Sequence, residues 1–197
     1  MKKVLIFIVS VLAFATANAK VSGIQYATPG DFSLGIMLGI PPAGANDGAR
    51  MPMISLDGNW GVASGFINTS AFGQNGAIDL GFYYGICAYK EDLKKKYGPK
   101  WGDGGILQNA VLFRAAFHFQ FVENLDVYGG ISNGVNIWSP TGESDKIWDT
   151  DVKYAGGMFF GGKYYFSDVF GVKAEFPVFD WNEGNLPTFS AGVSFNF

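Results

Sequence analysis

The sequence predicts an all-β fold, an eight-stranded antiparallel up-and-down transmembrane β-barrel preceded by a cleaved signal peptide. Three observations carry that expectation. Period-two alternation appears eight times after residue 20, with no helical periodicity of useful length. One strand face is studded with Phe, Tyr, Leu, Ile and Val, while the other is dominated by Gly and Ala. The connections alternate between tight turns and long polar loops, as they do in barrels that cross a membrane.

The front of the chain comes first. Lys2 and Lys3 precede the apolar run VLIFIVSVLAFA, residues 4–15, and Ala17, Asn18 and Ala19 follow as an A-x-A site. That is the pattern of a secretory signal peptide, residues 1–19, with Lys20 opening the mature protein. A run of 12 residues falls short of the roughly 20 a membrane helix needs. Cleavage leaves residues 20–197, the size of one domain, and takes the formal charge from −3 to −5 by removing Lys2 and Lys3. Lys and Arg form no extended basic stripe, so nucleic acid is not an expected partner. Cys87 is the only cysteine and has no disulfide partner within the chain. Its simplest role is a small interior filler.

Each strand follows from its own alternation. The first, FSLGIMLGI, sets Phe32, Leu34, Ile36, Leu38 and Ile40 against Ser33, Gly35, Met37 and Gly39. The second, from about residue 53 to 66, has an apolar face of Ile54, Leu56, Trp60, Val62 and Phe66. Ile78 to Ile86 mark the third, Val111 to Phe121 the fourth, and Leu125 to Ile137 the fifth. The sixth runs from Val152 to Phe166 and the seventh from Phe170 to Val178. FSAGVSFNF is the eighth, with Phe189, Ala191, Val193, Phe195 and Phe197 on one face.

Alternation alone also fits a water-soluble sandwich, and the polar face separates the two. A face open to water is rich in Thr, Lys, Glu and Arg, whereas this one carries small residues such as Gly35, Gly61, Gly81, Ala116, Gly130 and Gly192, which suit a narrow, filled lumen. Its charges are balanced: Asp57, Asp79, Asp126 and Glu175 against Arg114, Lys153, Lys163 and Lys173. Buried ions persist only when paired, so these residues, with His118, are expected to form a lumen charge network. A five-residue turn after Phe166 would set Lys163 opposite Glu175. Met37, Tyr83, Tyr89, Leu112, Tyr128, Phe159 and Tyr165 are expected to fill the rest of the lumen.

The long loops, residues 41–52, 90–105, 139–150 and 180–188, fall on one side, and the tight turns at 122–124 and 167–169 on the other. Residues 68–76 look longer than that short side should allow. Trp101, Trp138, Trp148 and Trp181 gather by the long loops, and Phe66, Phe119, Phe121, Phe166, Phe170, Phe195 and Phe197 by the short turns, as two aromatic girdles would.

The terminal strand FSAGVSFNF, together with ENLDVYGG (residues 123–130) and YYFSDVFGVKAEF (residues 164–176), resembles the small eight-stranded outer-membrane barrels of the OmpA, OmpX and OmpW type. The nearest in character are the barrel-only proteins of Bacteroidota and related Gram-negative bacteria. The resemblance implies a bacterial outer-membrane location and a structural or surface-interaction role. Phe189, Val193, Phe195 and Phe197 would then be read as the signal for the barrel-assembly machinery.

External-loop residues Lys90, Lys94, Lys95, Lys96, Lys100 and Trp101 are candidates for contact with lipopolysaccharide, whose phosphates suit lysines. A lipid A-modifying enzyme of similar architecture would need a His beside a nucleophilic Ser at the outer leaflet. The one histidine, His118, lies near the opposite end among Phe117, Phe119 and Gln120, so no catalytic residue, metal site or cofactor is expected. A channel for small or hydrophobic solutes is the third class, and Met37, Leu112 and Phe159 are few for an apolar route.

Overall fold

In the computed structural model, the described residues are 23–41, 48–49, 51–181 and 186–197; the signal peptide expected at residues 1–19 lies outside them. Eight strands run in chain order: β1 (Phe32–Ile40), β2 (Met53–Thr69), β3 (Gly73–Glu91), β4 (Gly104–Val122), β5 (Leu125–Gly142), β6 (Asp151–Tyr165), β7 (Phe170–Asp180) and β8 (Phe189–Asn196). Every neighbouring pair is antiparallel, and β1 also pairs with β8, so the sheet closes on itself. Closure leaves no free edge along the paired length, which is what a bilayer requires of strands. Among the described residues no helix is long and apolar enough to cross a membrane.

The alternation read from the sequence is the in–out alternation of the wall. In β1, Ser33, Gly35, Met37 and Gly39 are buried, while Ile36, Leu38 and Ile40 are exposed. Leu80, Phe113, Ile131 and Met158 extend the outward apolar band, and Phe113 is 77% exposed. Each such side chain forgoes about 1.5–3 kcal/mol if left in water. A continuous band of them is therefore at equilibrium only against an apolar phase. Inward, the strands present glycines, alanines and polar groups, and the widest side chains fill what remains: Met37, Tyr83, Tyr89, Leu112, Tyr128, Phe159 and Tyr165 are all buried.

The short side is tighter than the sequence implies. β2 and β3 remain paired out to Thr69 opposite Gly73, with bulges near Gly61 and Ser64, so residues 70–72 alone make the turn. The polar residues 73–76 are strand, not loop, because the strands continue beyond the apolar band. The other turns, 123–124 and 166–169, are equally brief, and Asn124 takes a positive φ of 63° in the first. One register also differs: Lys163 stands opposite Lys173, and Glu175 opposite Gly161.

A segment ahead of β1 closes the short-turn mouth. Tyr26 stacks on Tyr165 with centroids 3.8 Å apart and donates to Asn124 Oδ1 at 3.1 Å. The Gln25 backbone N–H donates to Gln120 Oε1 at 2.8 Å, and Gln120 Nε2 returns a bond to Gln25 Oε1 at 2.8 Å. Gly61 is glycine for a steric reason, since a Cβ there would collide with the Thr28 carbonyl. At the other end, β7 leaves β8 after Glu175, and its last five residues pair with β6 alone. Leu186 turns into this gap and packs with Met37, Tyr83 and Leu112.

Candidate functional site

The lumen charges meet as three groups. Lys173 Nζ lies 2.7 and 2.8 Å from the two Asp57 oxygens, and Asn59 Nδ2 donates to Asp57 Oδ2 at 2.8 Å. Arg114 Nη2 donates to Glu175 Oε2 at 2.6 Å, a bond shared by the Tyr128 hydroxyl at 3.1 Å, while the guanidinium sits 3.7 Å from the Phe159 ring centroid. His118 lies between two aspartates, Nδ1 at 2.9 Å from Asp126 Oδ2 and Nε2 at 2.8 Å from Asp79 Oδ2. The Asp79 contact has ion-pair distance but lies off the N–H axis, so it is an electrostatic contact and not a directed hydrogen bond. Lys163 donates to Ser33 Oγ at 3.1 Å and sits opposite Asp126 in the ladder.

Lys153 does not join them. It has inward parity but stands at the outer rim, 59% exposed, and pairs with Asp151 at 2.9 Å. His118 takes the fourth cationic place. Carboxylate oxygens flank its ring at both nitrogens, 2.8 Å away at Nε2 and 2.9 Å at Nδ1. Four carboxylates then face Arg114, His118, Lys163 and Lys173, and the balance expected from the sequence holds with one member exchanged. Buried charges left without partners would cost several kcal/mol each, so the lattice acts as a unit. The space left within it is about 10 Å³, and beside Leu186 about 20 Å³. Each is close to the volume needed for one water.

The outer mouth is built differently. A short helix, α1 (Leu93–Tyr97), buries Leu93 and is capped by Asp92, whose side chain accepts from the Lys95 N–H. Across from it a 3₁₀ turn spans Glu143–Lys146. The two loops are stapled: Ser144 Oγ donates to Glu91 Oε2 at 2.7 Å, and the Gly102 N–H to Glu143 Oε2 at 3.0 Å. Hydrogen bonds from Lys146 and from Gly102 hold the Glu143 carboxyl below its usual range. Of the loop candidates, Lys90, Lys94, Lys95 and Lys100 are solvent-exposed. Lys96 is committed to Glu91 at 3.3 Å and lies 5.1 Å from the Trp148 ring, and Trp101 packs on Tyr97.

On the terminal strand, Phe189, Val193 and Phe195 pair with Ile40, Ile36 and Leu34 of β1, and the Phe197 N–H donates to the Phe32 carbonyl at 2.8 Å. All four outward side chains therefore lie on the closing seam. Residues 23–31, which seal the short-turn mouth, were not signalled by the sequence because they follow no alternation.

A closed eight-stranded wall with an apolar exterior, a filled ionic lumen and long loops at one end defines a small β-barrel of the bacterial outer-membrane type. No protein-family model matches the sequence, and no curated protein does. Among solved structures the chain is similar to the N-terminal β-barrel domain of Pseudomonas aeruginosa OprF, at 14% identity and a TM-score of 0.47, covering 86% of this chain and 98% of that one. It is also similar to Yersinia pestis Ail in complex with the heparin analogue sucrose octasulfate, at 12% identity and 0.47, covering 85% and 97%. Pseudomonas aeruginosa OprG matches at 12% and 0.43, covering 90% and 99%. At these values the class rests on the chain's own closure and polarity.

Proposed function

We propose that this protein is a plugged outer-membrane barrel that works through its external loops, without enzymatic activity and without conducting solute. The filled lumen carries this reading: two spaces among its described residues are about 10 and 20 Å³, each the size of one water, and Tyr26 packs across the short-turn mouth. His118 is spent on two aspartates deep in the lattice, which argues against its serving as a base for lipid A chemistry at the outer leaflet. The stapled loops hold Lys94, Lys95 and Lys100 in solvent on a fixed platform, where lipopolysaccharide phosphates suit them. The terminal strand suits recognition by the barrel-assembly machinery during insertion.

The test is adhesion. Cells expressing the full chain are compared with cells carrying Lys94→Gln, Lys95→Gln and Lys100→Gln for retention on immobilised lipopolysaccharide. Retention should depend on the protein and fall in the triple variant. Retention equal to that of cells lacking the protein would overturn the reading.

A further inference from the structure

β3, β4 and β5 continue past the body of the barrel, and the inner wall of this extension is aromatic. Tyr89 donates to Gln108 at 2.7 Å, Trp138 stacks on Tyr89 at 5.7 Å between centroids, and Ile106 packs beside them. Trp148 lines another side, its backbone N–H donating to the Ser144 carbonyl at 3.0 Å, which ties its main chain to the same staple that joins the two loops. Ile106, Trp138, Pro140 and Trp148, with Asp149, Asp151 and Lys153, line an open cup of about 290 Å³ at the outer mouth, and Tyr89 supports it by stacking on Trp138.

An apolar cup alone would not name its occupant, but the charges here do. Asp151 is met by Lys153, and Lys96 beside Trp148 by Glu91, which leaves Asp149 as the one further carboxylate lining the cup. Two closed ion pairs and a single further carboxylate give no field that would hold a free anion, and that carboxylate accepts hydrogen bonds beside the indole faces. What the rim offers is a dense set of hydrogen-bond acceptors and donors next to two indole rings. A molecule with an apolar C–H face and a ring of hydroxyls satisfies both at once. We propose that the cup between Trp138 and Trp148 is a binding site for a neutral saccharide presented outside the cell. This rests on the surface-interaction reading and adds to it a second ligand class, at a site apart from Lys94, Lys95 and Lys100.

Detergent-solubilised full chain, its folded state checked by the mobility difference between unheated and heated samples, is applied to a printed array of neutral, sialylated and sulfated glycans. Neutral glycans should be retained. Trp148→Ala should lower the bound signal at least tenfold and Asp149→Asn several-fold, with Trp148→Phe recovering part of the loss. A silent array, or Trp148→Ala binding as the wild type does, would overturn the proposal. So would retention confined to sulfated or sialylated glycans and lost on replacing Lys94 and Lys95 instead of Trp148. Protein-dependent cell adhesion alongside a silent array removes the saccharide and leaves the surface-interaction reading standing, whereas adhesion that never depended on the protein removes the latter.

Discussion

Lys173 and Asp57 form a fully buried ion pair in the lumen, each side chain 1% exposed. Replacing one member strands the other. Lys173→Met should therefore cost about 3–5 kcal/mol, read as a lower urea midpoint for the folded barrel in micelles, and Asp57→Leu added to it should restore much of the loss. No recovery in the double variant would show that Lys173 acts through something other than Asp57. His118→Ala should cost a similar amount by leaving Asp79 and Asp126 near each other without the ring between them, and on the proposed non-enzymatic reading the lipid A profile of the cells should not change with it. The sequence carried the inward parity of all these residues, because parity needs only a strand's alternation. It did not carry height along the barrel axis, so Lys153 looked equivalent to Lys163 although they stand ten positions apart along β6, one at the rim and one in the lattice. The partner of Glu175 was hidden for a related reason. Arg114 lies across the lumen on β4, and sequence spacing shows ladder neighbours but not contacts across a bore.

At the scale of elements, the strands were legible and their ends were not. β2 and β3 run beyond their apolar stretches, since the wall keeps pairing where side chains no longer meet lipid, and residues 73–76 read as loop by composition. The segment at 23–31 was invisible, lacking period and charge pattern, but its contacts are specific. Burial and the nearby Tyr165 push the Tyr26 hydroxyl up to about 12, so it remains a donor to Asn124 at any physiological pH. Tyr26→Ala should increase proteolytic cleavage of the N-terminal segment without altering the barrel's mobility shift. The loop staple has its own signature. Glu143 is held low by Lys146 and Gly102, so its contribution is present above the ordinary carboxylate value and lost as pH falls through the lowered one. The Gly102 amide resonance should accordingly move only in acid, below about pH 4.5, and Glu143→Gln should abolish that step.

For the whole molecule, the filled bore and the closed wall make separate predictions. The full chain should be electrically silent in planar bilayers, because buried side chains fill the bore and the two spaces among its described residues are each the size of a single water. Reproducible conductance steps that change with Arg114→Ala would contradict the plugged lumen. The fold class was legible because closure, apolar exterior and small lumen residues are all written in alternation, whereas the aromatic cup depends on Tyr89, Trp138 and Trp148 from three separate parts of the chain. Gel mobility of unboiled against boiled membrane fractions reads at once whether this wall is shut and whether it resides in the outer membrane. A shift confined to the outer-membrane fraction is the predicted result. A protein that is soluble in the periplasm and runs identically before and after boiling would contradict it.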